Sequence, residues 1–240
     1  MTDSAAERVG RKTSAVELLG KTPLFGVLHP EDLRHLADST RTRAYERGDI
    51  IFHKDDPGYT LYIIVGGAVK ISVSSSEGDE IILAILTKGQ FFGELALFDD
   101  LPRSADAEAI QPTEVLTVQR EDLIRLMEKR PRVAITQLLK VLGQRLRATD
   151  ELLQDAAFLD IPSRLAKRLL DLAEAHGEKT PHGTKIGLRL TQQNLASMIG
   201  ARRENVNRAL AYYQSRGWLS KEGGHFTILN EPQLRARVLP

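Results

Sequence analysis

The chain has 240 residues, with 33 Lys and Arg against 32 Asp and Glu, and no cysteine. Without cysteine it can form no disulfide, iron–sulfur cluster or zinc–thiolate site, so redox sensing through sulfur is excluded. The six histidines are scattered without the spacing of metal ligands, which argues against a metal site. The absence of a long apolar run and of an apolar segment near the amino terminus predicts no membrane span and no signal peptide, and hence a cytoplasmic protein.

The charge is unevenly distributed along the chain. Residues 158–240 contain 13 Lys and Arg against 7 Asp and Glu, a net charge of +6, whereas the rest of the chain carries −5. A basic carboxyl-terminal third indicates a polyanionic partner, with a solvated basic surface as the alternative.

The amino-terminal part is predicted to be rich in β-structure. Residues 1–20 are expected to form a tail, and short amphipathic helices are predicted around Ala15–Leu19 and Pro30–Asp38. From about residue 41 to residue 119, glycines at turn-like intervals separate short β-rich runs, which include Ile50–Phe52, Leu61–Val65, Val69–Val73 and Ile81–Leu86. This pattern predicts a small antiparallel barrel or sandwich.

A long helix is predicted next, because the apolar period changes at residue 131. Its apolar or small residues are spaced alternately by four and three positions, at Ile135, Leu139, Leu142, Leu146, Thr149, Leu153 and Ala156. A stripe of two positions in seven is the seam of a coiled coil, so the helix is predicted to pair with the same helix of a second copy. The alternative is a helix lying on its own domain.

The sequence marks a hinge after residue 157. Asp160 can cap a new helix that continues to about Ala175, and Pro162 fits its first turn. A polar loop is predicted from Gly177 to Thr184.

Two short helical patterns separated at Gly200 predict a helix-turn-helix within Thr191–Tyr213, with Thr191 placed to cap the first helix. One face of the second helix is apolar, and the opposite face, called the reading face below, carries Arg203, Glu204, Asn207 and Arg208. Arginine can pair bidentately with guanine and glutamate can accept a hydrogen bond from cytosine, so this face suits the DNA major groove. A solvated helical hairpin is the alternative. A following β-hairpin pattern, with Gly223–Gly224 between two β-rich runs, extends the prediction to a winged helix-turn-helix.

Phe91–Ala109, called the cassette below, contains a second group of functional side chains. Gly93 lets the backbone turn closely, and the turn after Glu94 can present N–H groups to an anion. Arg103 supplies a cation and Ser104 a hydroxyl donor, while the Glu94 carboxylate suits sugar hydroxyls. Together they suit one phosphodiester and its ribose, and a simple salt bridge between Arg103 and Glu94 is the alternative.

Three motifs, in this order along the chain, resemble the cyclic-AMP receptor protein and fumarate-nitrate regulator (CRP/FNR) superfamily of bacterial transcription factors. They are the FGELALF…PRSA motif within the cassette, the FLDIPSRLA segment after the long helix, and RENVNR in the helix-turn-helix. The resemblance covers nearly everything after residue 20. It implies an α+β fold: a cyclic-nucleotide-binding β-roll (a double-stranded β-helix) over 21–130, a dimerisation helix over 131–157 and a winged helix-turn-helix over 158–240.

The resemblance also implies a function, which is non-enzymatic, sequence-specific regulation of transcription by a homodimer. The effector is expected to be cyclic AMP, and the partners are expected to be RNA polymerase and palindromic DNA with TGTGA-like half-sites. The residues implied to bind cyclic AMP are Gly93, Glu94, Leu95, Arg103, Ser104, Thr149 and Asp150. The residues expected to contact DNA are Arg202, Arg203, Glu204, Asn207, Arg208 and Lys221, of which Arg202 and Lys221 are predicted to contact phosphate.

Two positions depart from the family pattern. Asp150 stands where a neutral Ser or Asn is usual; its carboxylate can accept a hydrogen bond from the adenine amino group, but burying it costs desolvation. An alternative function therefore keeps the fold and DNA binding but is ligand-independent or answers to another effector. Arg202 stands where a Ser cap is common, and loss of that cap should cost about 1 kcal/mol.

Two other classes of protein fit the sequence less well. A cupin-like enzyme would need clustered His and carboxylate metal ligands, which the sequence lacks. A nucleoid-packing protein would leave the base-reading residues and the ligand cassette unexplained.

Overall fold

The computed structural model describes residues 15–129 and 131–238. Residues 1–14 of the predicted tail lie outside these ranges. Residues 15–20 lie in a helix rather than in a tail, as the amphipathic pattern around Ala15–Leu19 predicts, because Leu18 and Leu19 are buried in the core. The chain divides into two compact units, the first formed by Met1–Ile71 and Ile85–Leu146 and the second by Ser72–Ala84 and Arg147–Pro240. No helix in the described ranges combines the length and apolar character needed to cross a bilayer.

The amino-terminal elements are helices and short antiparallel strands, as the glycine-punctuated pattern predicts. The helices are α1 (residues 15–21), α2 (Pro30–Ser39), α3 (Leu95–Phe98) and α4 (Arg120–Lys129). The strands are β1 (Arg41–Tyr45), β2 (Ile50–Phe52), β3 (Thr60–Gly66), β4 (Ala68–Ser74), β5 (Glu80–Thr87), β6 (Phe91–Phe92), β7 (Asp106–Ala109) and β8 (Thr113–Gln119). Within the described residues they form two sheets with the strand orders β1-β8-β3-β6 and β2-β7-β4-β5.

Strand β3 shows why its sequence, LYIIV, is almost continuously apolar. Leu61 and Ile63 are fully buried in a core that includes Leu19 of α1, Leu33 of α2 and Leu123 of α4. Tyr62 and Ile64, which alternate with them and therefore lie on the opposite face of the strand, are also buried. A strand that is covered on both faces needs apolar residues at successive positions.

The carboxyl-terminal elements begin with the long helix α5 (Pro131–Phe158). They continue as α6 (Ile161–His176), β9 (Gly177–Thr180), β10 (Gly183–Ile186), α7 (Gln192–Ile199), α8 (Arg203–Ser215), β11 (Leu219–Glu222), β12 (His225–Ile228) and α9 (Glu231–Val238). The strands form a sheet in the order β11-β12-β10-β9. The fold class is therefore confirmed as α+β, with a β-rich amino-terminal part, a long helix and a winged helix-turn-helix.

Local capping signals place the helix boundaries in this second part. The Asp160 side chain accepts a hydrogen bond from the Ser163 amide at 2.8 Å and caps α6, as predicted. Thr191 and Asn194 form a capping box at the start of α7, and Gly200 ends that helix with a φ of 59°. Such caps satisfy backbone groups that have no partner inside the helix.

The predicted polar loop at Gly177–Thr184 is wrong. This segment forms most of the β9–β10 hairpin, in which Thr184 pairs with Lys179, and β10 joins the wing strand β12 through the pairing of Thr184 with Ile228. Thr184 and Ile186 are buried while the residues between and before them are more exposed. The alternation is too short and too polar to predict a strand before the wing provides a partner.

Candidate functional sites

The cassette turns sharply at Gly93, where β6 ends. Gly93 has a φ of +81°, and a Cβ atom there would lie 2.6 Å from Nη1 of Arg103 and 3.1 Å from the Thr60 carbonyl oxygen. The Arg103 guanidinium donates hydrogen bonds to the carbonyl oxygens of Gly93 (2.6 Å) and Thr60 (2.8 Å). Glycine is therefore required both for the backbone conformation and for the close approach of Arg103.

The Arg103 side chain is buried among aromatic rings. Its guanidinium lies 4.3 Å from the centroid of the Phe52 ring and 5.7 Å from that of Tyr62, which stacks on Phe92. Burial lowers the pKa of Arg103, although the electrostatic effects of Tyr62 and Glu94 oppose that change. The ring faces and the two carbonyl oxygens stabilise a buried cation at this position.

Glu94 is paired with a residue that the sequence analysis did not identify. Its carboxylate is almost fully buried and forms an ion pair with Arg145 of α5, whose side chain is 38% exposed. Arg145 also donates to the Phe91 carbonyl oxygen at 2.6 Å, and its guanidinium lies 5.1 Å from the Phe91 ring centroid. A bridge between Arg103 and Glu94 is not formed in the described part of the chain, so the salt-bridge alternative is not what the structure contains.

Helical spacing places Arg145 near Thr149 but does not identify it as the partner of Glu94. Arg145 precedes Thr149 by one helical turn, so the two residues lie on neighbouring positions of α5. The apolar stripe alone does not identify it, because Arg145 lies beside that stripe rather than on it.

Two buried polar atoms in the cassette have no hydrogen-bond partner among the described residues. They are Oε2 of Glu94, which is an acceptor, and Nε of Arg103, which is a donor. Buried polar atoms in native proteins nearly always have a partner, so an unpaired acceptor and donor in one segment suit a ligand that carries a hydroxyl group and an anion.

The other residues expected to bind the ligand are exposed. Leu95 is the first residue of α3, and Ser104 directly follows Arg103. Thr149 and Asp150 belong to the second unit and lie on the exposed surface of α5. The structure thus brings Gly93, Glu94 and Arg103 together in the first unit, whereas Thr149 and Asp150 belong to the second unit.

Helix α8 separates a buried face from an exposed face. Its buried residues are Val206, Ala209, Leu210 and Tyr213. Arg203, Glu204 and Arg208 are exposed, whereas Asn207 is half-buried and its Oδ1 atom has no partner in the described residues. Three of the four reading-face side chains are therefore open to a macromolecular partner, and Asn207 lies at the boundary of that face.

The two predicted phosphate contacts flank this helix in the sequence. Arg202 is the N-cap residue of α8 and makes no side-chain capping hydrogen bond, as expected where Arg replaces Ser. Lys221 is exposed on β11, with its Nζ atom 5.1 Å from the centroid of the Phe226 ring. Both cations are accessible for electrostatic contact with an anionic partner.

Comparisons with known proteins agree with this architecture. A model of the cyclic nucleotide-binding domain matches residues 42–130, and a model of the Crp-like helix-turn-helix domain matches residues 163–237. The chain is 36% identical over 222 residues to a CRP-like cAMP-activated global transcriptional regulator of Mycobacterium tuberculosis, covering 92% of this chain and 99% of that protein.

Two further proteins extend the comparison. The chain is 32% identical over 180 residues to the cAMP-activated global transcriptional regulator CRP of Salmonella typhimurium, covering 75% of this chain and 85% of that protein. The solved structure of the c-di-GMP-responsive global regulator CLP of Xanthomonas campestris superimposes with a TM-score of 0.73 at 26% identity, covering 83% of this chain and 99% of that one.

Proposed function

Because this chain belongs to the CRP/FNR superfamily, whose members are transcription regulators and not enzymes, we propose that it is a cyclic-AMP-controlled regulator that binds a palindromic DNA site as a homodimer. In this proposal the protein acts in the cytoplasm and contacts RNA polymerase. The cyclic nucleotide occupies the cassette, and the reading face enters the DNA major groove.

The two unpartnered atoms of the cassette carry the proposal for the effector. A ribose hydroxyl can donate to Oε2 of Glu94, and a cyclic phosphate can accept from Nε of Arg103. Each such atom costs about 1–3 kcal/mol while it is buried without a partner, so a ligand that satisfies both recovers this free energy. Gly93 and Leu95 would border the ribose and phosphate, and the Ser104 hydroxyl would donate to the phosphate.

Adenine is the base that we assign to the ligand. Thr149 interrupts an otherwise apolar stripe on α5, and its hydroxyl group can hydrogen-bond to a purine. The names of the two relatives at 36% and 32% identity also describe them as cAMP-activated. We propose that Thr149 and, across the dimer, Asp150 meet the adenine.

The exposure of the stripe on α5 supports a homodimer. Ile135, Leu139, Leu146 and Leu153 are 51%, 63%, 63% and 71% exposed. Apolar residues at alternating spacings of four and three along one helix favour burial against the same stripe of a second copy. Sedimentation equilibrium should give a dimer, and Leu146→Asp should shift the equilibrium toward the monomer.

Sequence-specific DNA binding is assigned to the reading face. Arg203, Glu204 and Arg208 are proposed to read a TGTGA-like half-site, and Arg202 and Lys221 to bind phosphate. Arg203→Ala should lose about 1–3 kcal/mol of discrimination at one base pair, measured by competition with singly substituted duplexes. An equal loss on every sequence would reject base reading by Arg203.

A second candidate function is favoured by Asp150. A carboxylate at this position adds a charge that a neutral adenine does not compensate, so the protein in this alternative answers to another effector or to none. One structural neighbour is named as c-di-GMP-responsive, so c-di-GMP is the second nucleotide to test as an effector.

Fluorescence anisotropy at fixed salt tests both candidates. A labelled palindrome and a scrambled duplex are titrated with protein in the presence of no nucleotide, cyclic AMP or c-di-GMP. Cyclic AMP should tighten binding to the palindrome at least tenfold, about 1.4 kcal/mol of coupling free energy. Arg103→Gln should abolish this response. Arg125→Gln, which removes an exposed arginine of α4 that pairs with Asp122 outside the cassette, should retain it.

The other outcomes select between the candidates. Specific DNA binding that is indifferent to cyclic AMP would reject cyclic AMP as the effector and favour the second candidate. A response to c-di-GMP alone would identify that nucleotide as the effector.

A further inference from the structure

A cleft in the second unit adjoins the reading face. Its volume is about 470 Å³, and its lining consists of Ile161, Pro162, Asn205, Arg208, Ala209, Tyr212 and Arg237. These residues come from the start of α6, from α8 and from the carboxyl-terminal helix α9. Arg208 belongs both to the cleft and to the reading face, so the cleft continues the surface that is proposed to meet DNA.

Two arginines line the cleft, which also has an apolar side. Arg208 and Arg237 line it, and no acidic residue does so among those described. Asn205 accepts a hydrogen bond from Arg208 through Oδ1, which leaves the Asn205 amide group able to donate. Ile161, Pro162 and Ala209 provide apolar surface. An anion joined to an apolar body matches this lining.

Helix α9 holds its end of the cleft in a defined position. Leu234 is fully buried, and the Ser163 hydroxyl donates to the Arg237 carbonyl oxygen at 2.9 Å. On the α6 side, the Tyr213 hydroxyl donates to the Pro162 carbonyl oxygen at 2.7 Å. Because the backbone is tied on both sides, little ordering is needed when a ligand binds.

The Arg237 guanidinium has donors to spare. Nη2 donates to Oδ2 of Asp160 at 2.8 Å, and the guanidinium also interacts with the Tyr213 hydroxyl, but within the described residues no other acid pairs with Arg237. The side chain is 38% exposed and that of Asp160 is 55% exposed. A guanidinium carries five N–H donors, so Arg237 can bind Asp160 and a second anion together.

We propose that this cleft seats one phosphate of the DNA backbone with its deoxyribose, and that Arg237 of α9 is a phosphate contact. This inference rests on the proposed DNA-binding function and extends the interface to the carboxyl-terminal helix. The deoxyribose packs on the apolar side of the cleft, and the phosphate accepts hydrogen bonds from Arg237 and the Asn205 amide. The contact strengthens binding without reading sequence.

The first test compares three variants by anisotropy over a series of salt concentrations. Arg237→Gln should weaken binding to specific and scrambled duplexes alike by about tenfold, and should reduce the magnitude of the log–log salt slope by about 0.9 for each lost phosphate contact. Arg235→Gln is the matched control, because Arg235 lies on the same helix, pairs with Glu231 and does not line the cleft. It should leave affinity and slope close to those of the wild type.

Asp160→Asn separates phosphate binding from a structural role of the Asp160–Arg237 pair. If Arg237 binds DNA, removing the neighbouring carboxylate should preserve or tighten DNA binding. If Arg237 only anchors α9 through that pair, Asp160→Asn and Arg237→Gln should weaken binding equally, and the proposal is overturned.

Duplexes in which one phosphate at a time is replaced by a neutral methylphosphonate give an independent test. One position in each half-site should weaken binding of the wild type but have no further effect on Arg237→Gln. If every position affects the two proteins equally, Arg237 contacts no phosphate. Failure of the DNA-binding proposal itself looks different, because the wild type would then show no preference for the palindrome.

Discussion

Replacing Arg145 tests whether its ion pair with Glu94 stabilises the cassette, because the Arg145 guanidinium neutralises the buried Glu94 carboxylate. Replacing Arg145 with Met keeps the length and apolar contacts of the side chain but leaves the nearly inaccessible Glu94 without its cation. Breaking a fully buried ion pair costs about 3–5 kcal/mol. Because the Arg145 side chain is 38% exposed, solvent screening reduces this cost, and we expect about 2 kcal/mol.

This loss is measurable by calorimetry and by far-UV circular dichroism at neutral pH. For a chain of this size, about 2 kcal/mol corresponds to a decrease in Tm of roughly 4–8 °C. Arg147→Met is the matched control, because Arg147 is an exposed arginine on the same helix, and it should leave Tm nearly unchanged. Glu94→Gln combined with Arg145→Met should recover most of the lost stability, because the buried charge is then absent.

Two results would refute the reasoning. The first is a loss of less than about 0.5 kcal/mol in Arg145→Met, which would mean that Glu94 does not depend on this cation. The second is a further loss of stability when Glu94→Gln is added, which would mean that the carboxylate is stabilised by other groups.

Three further predictions concern single side chains. Gly93→Ala should lower the unfolding free energy by about 2 kcal/mol and weaken cyclic AMP binding at least tenfold by calorimetric titration, because the added Cβ displaces Arg103. Thr191→Ala removes the capping box and should cost about 1 kcal/mol in urea unfolding followed by fluorescence of the single tryptophan, Trp218. Burial raises the pKa of Tyr213 to about 12 from an ordinary 10.0, so its neutral form stabilises the fold fully below pH 10 and this contribution is lost as pH rises through 12. Tyr213→Phe should lack that decrease in stability between pH 10 and 12.

The elements that the sequence predicts best are those defined by neighbouring residues. The stripe on α5 follows from helical spacing, and the starts of α6 and α7 follow from Asp160 and Thr191, whose caps act within three residues. The order of the three motifs indicated the family, and the comparisons bear this out. The cassette was recognisable because Gly93, Glu94 and Arg103 lie close together in the sequence.

Only the tertiary structure identified the partners of these residues. Glu94 pairs with Arg145 across 51 positions, and Arg103 donates to the Thr60 carbonyl oxygen across 43 positions. The segment predicted as a polar loop forms the β9–β10 hairpin, because β10 also pairs with the wing strand β12. Periodicity and capping are properties of a few consecutive residues, and a single sequence contains them. Which buried charge meets which cation, and which short polar segment completes a sheet, depends on packing between distant segments, and only the folded chain decides it.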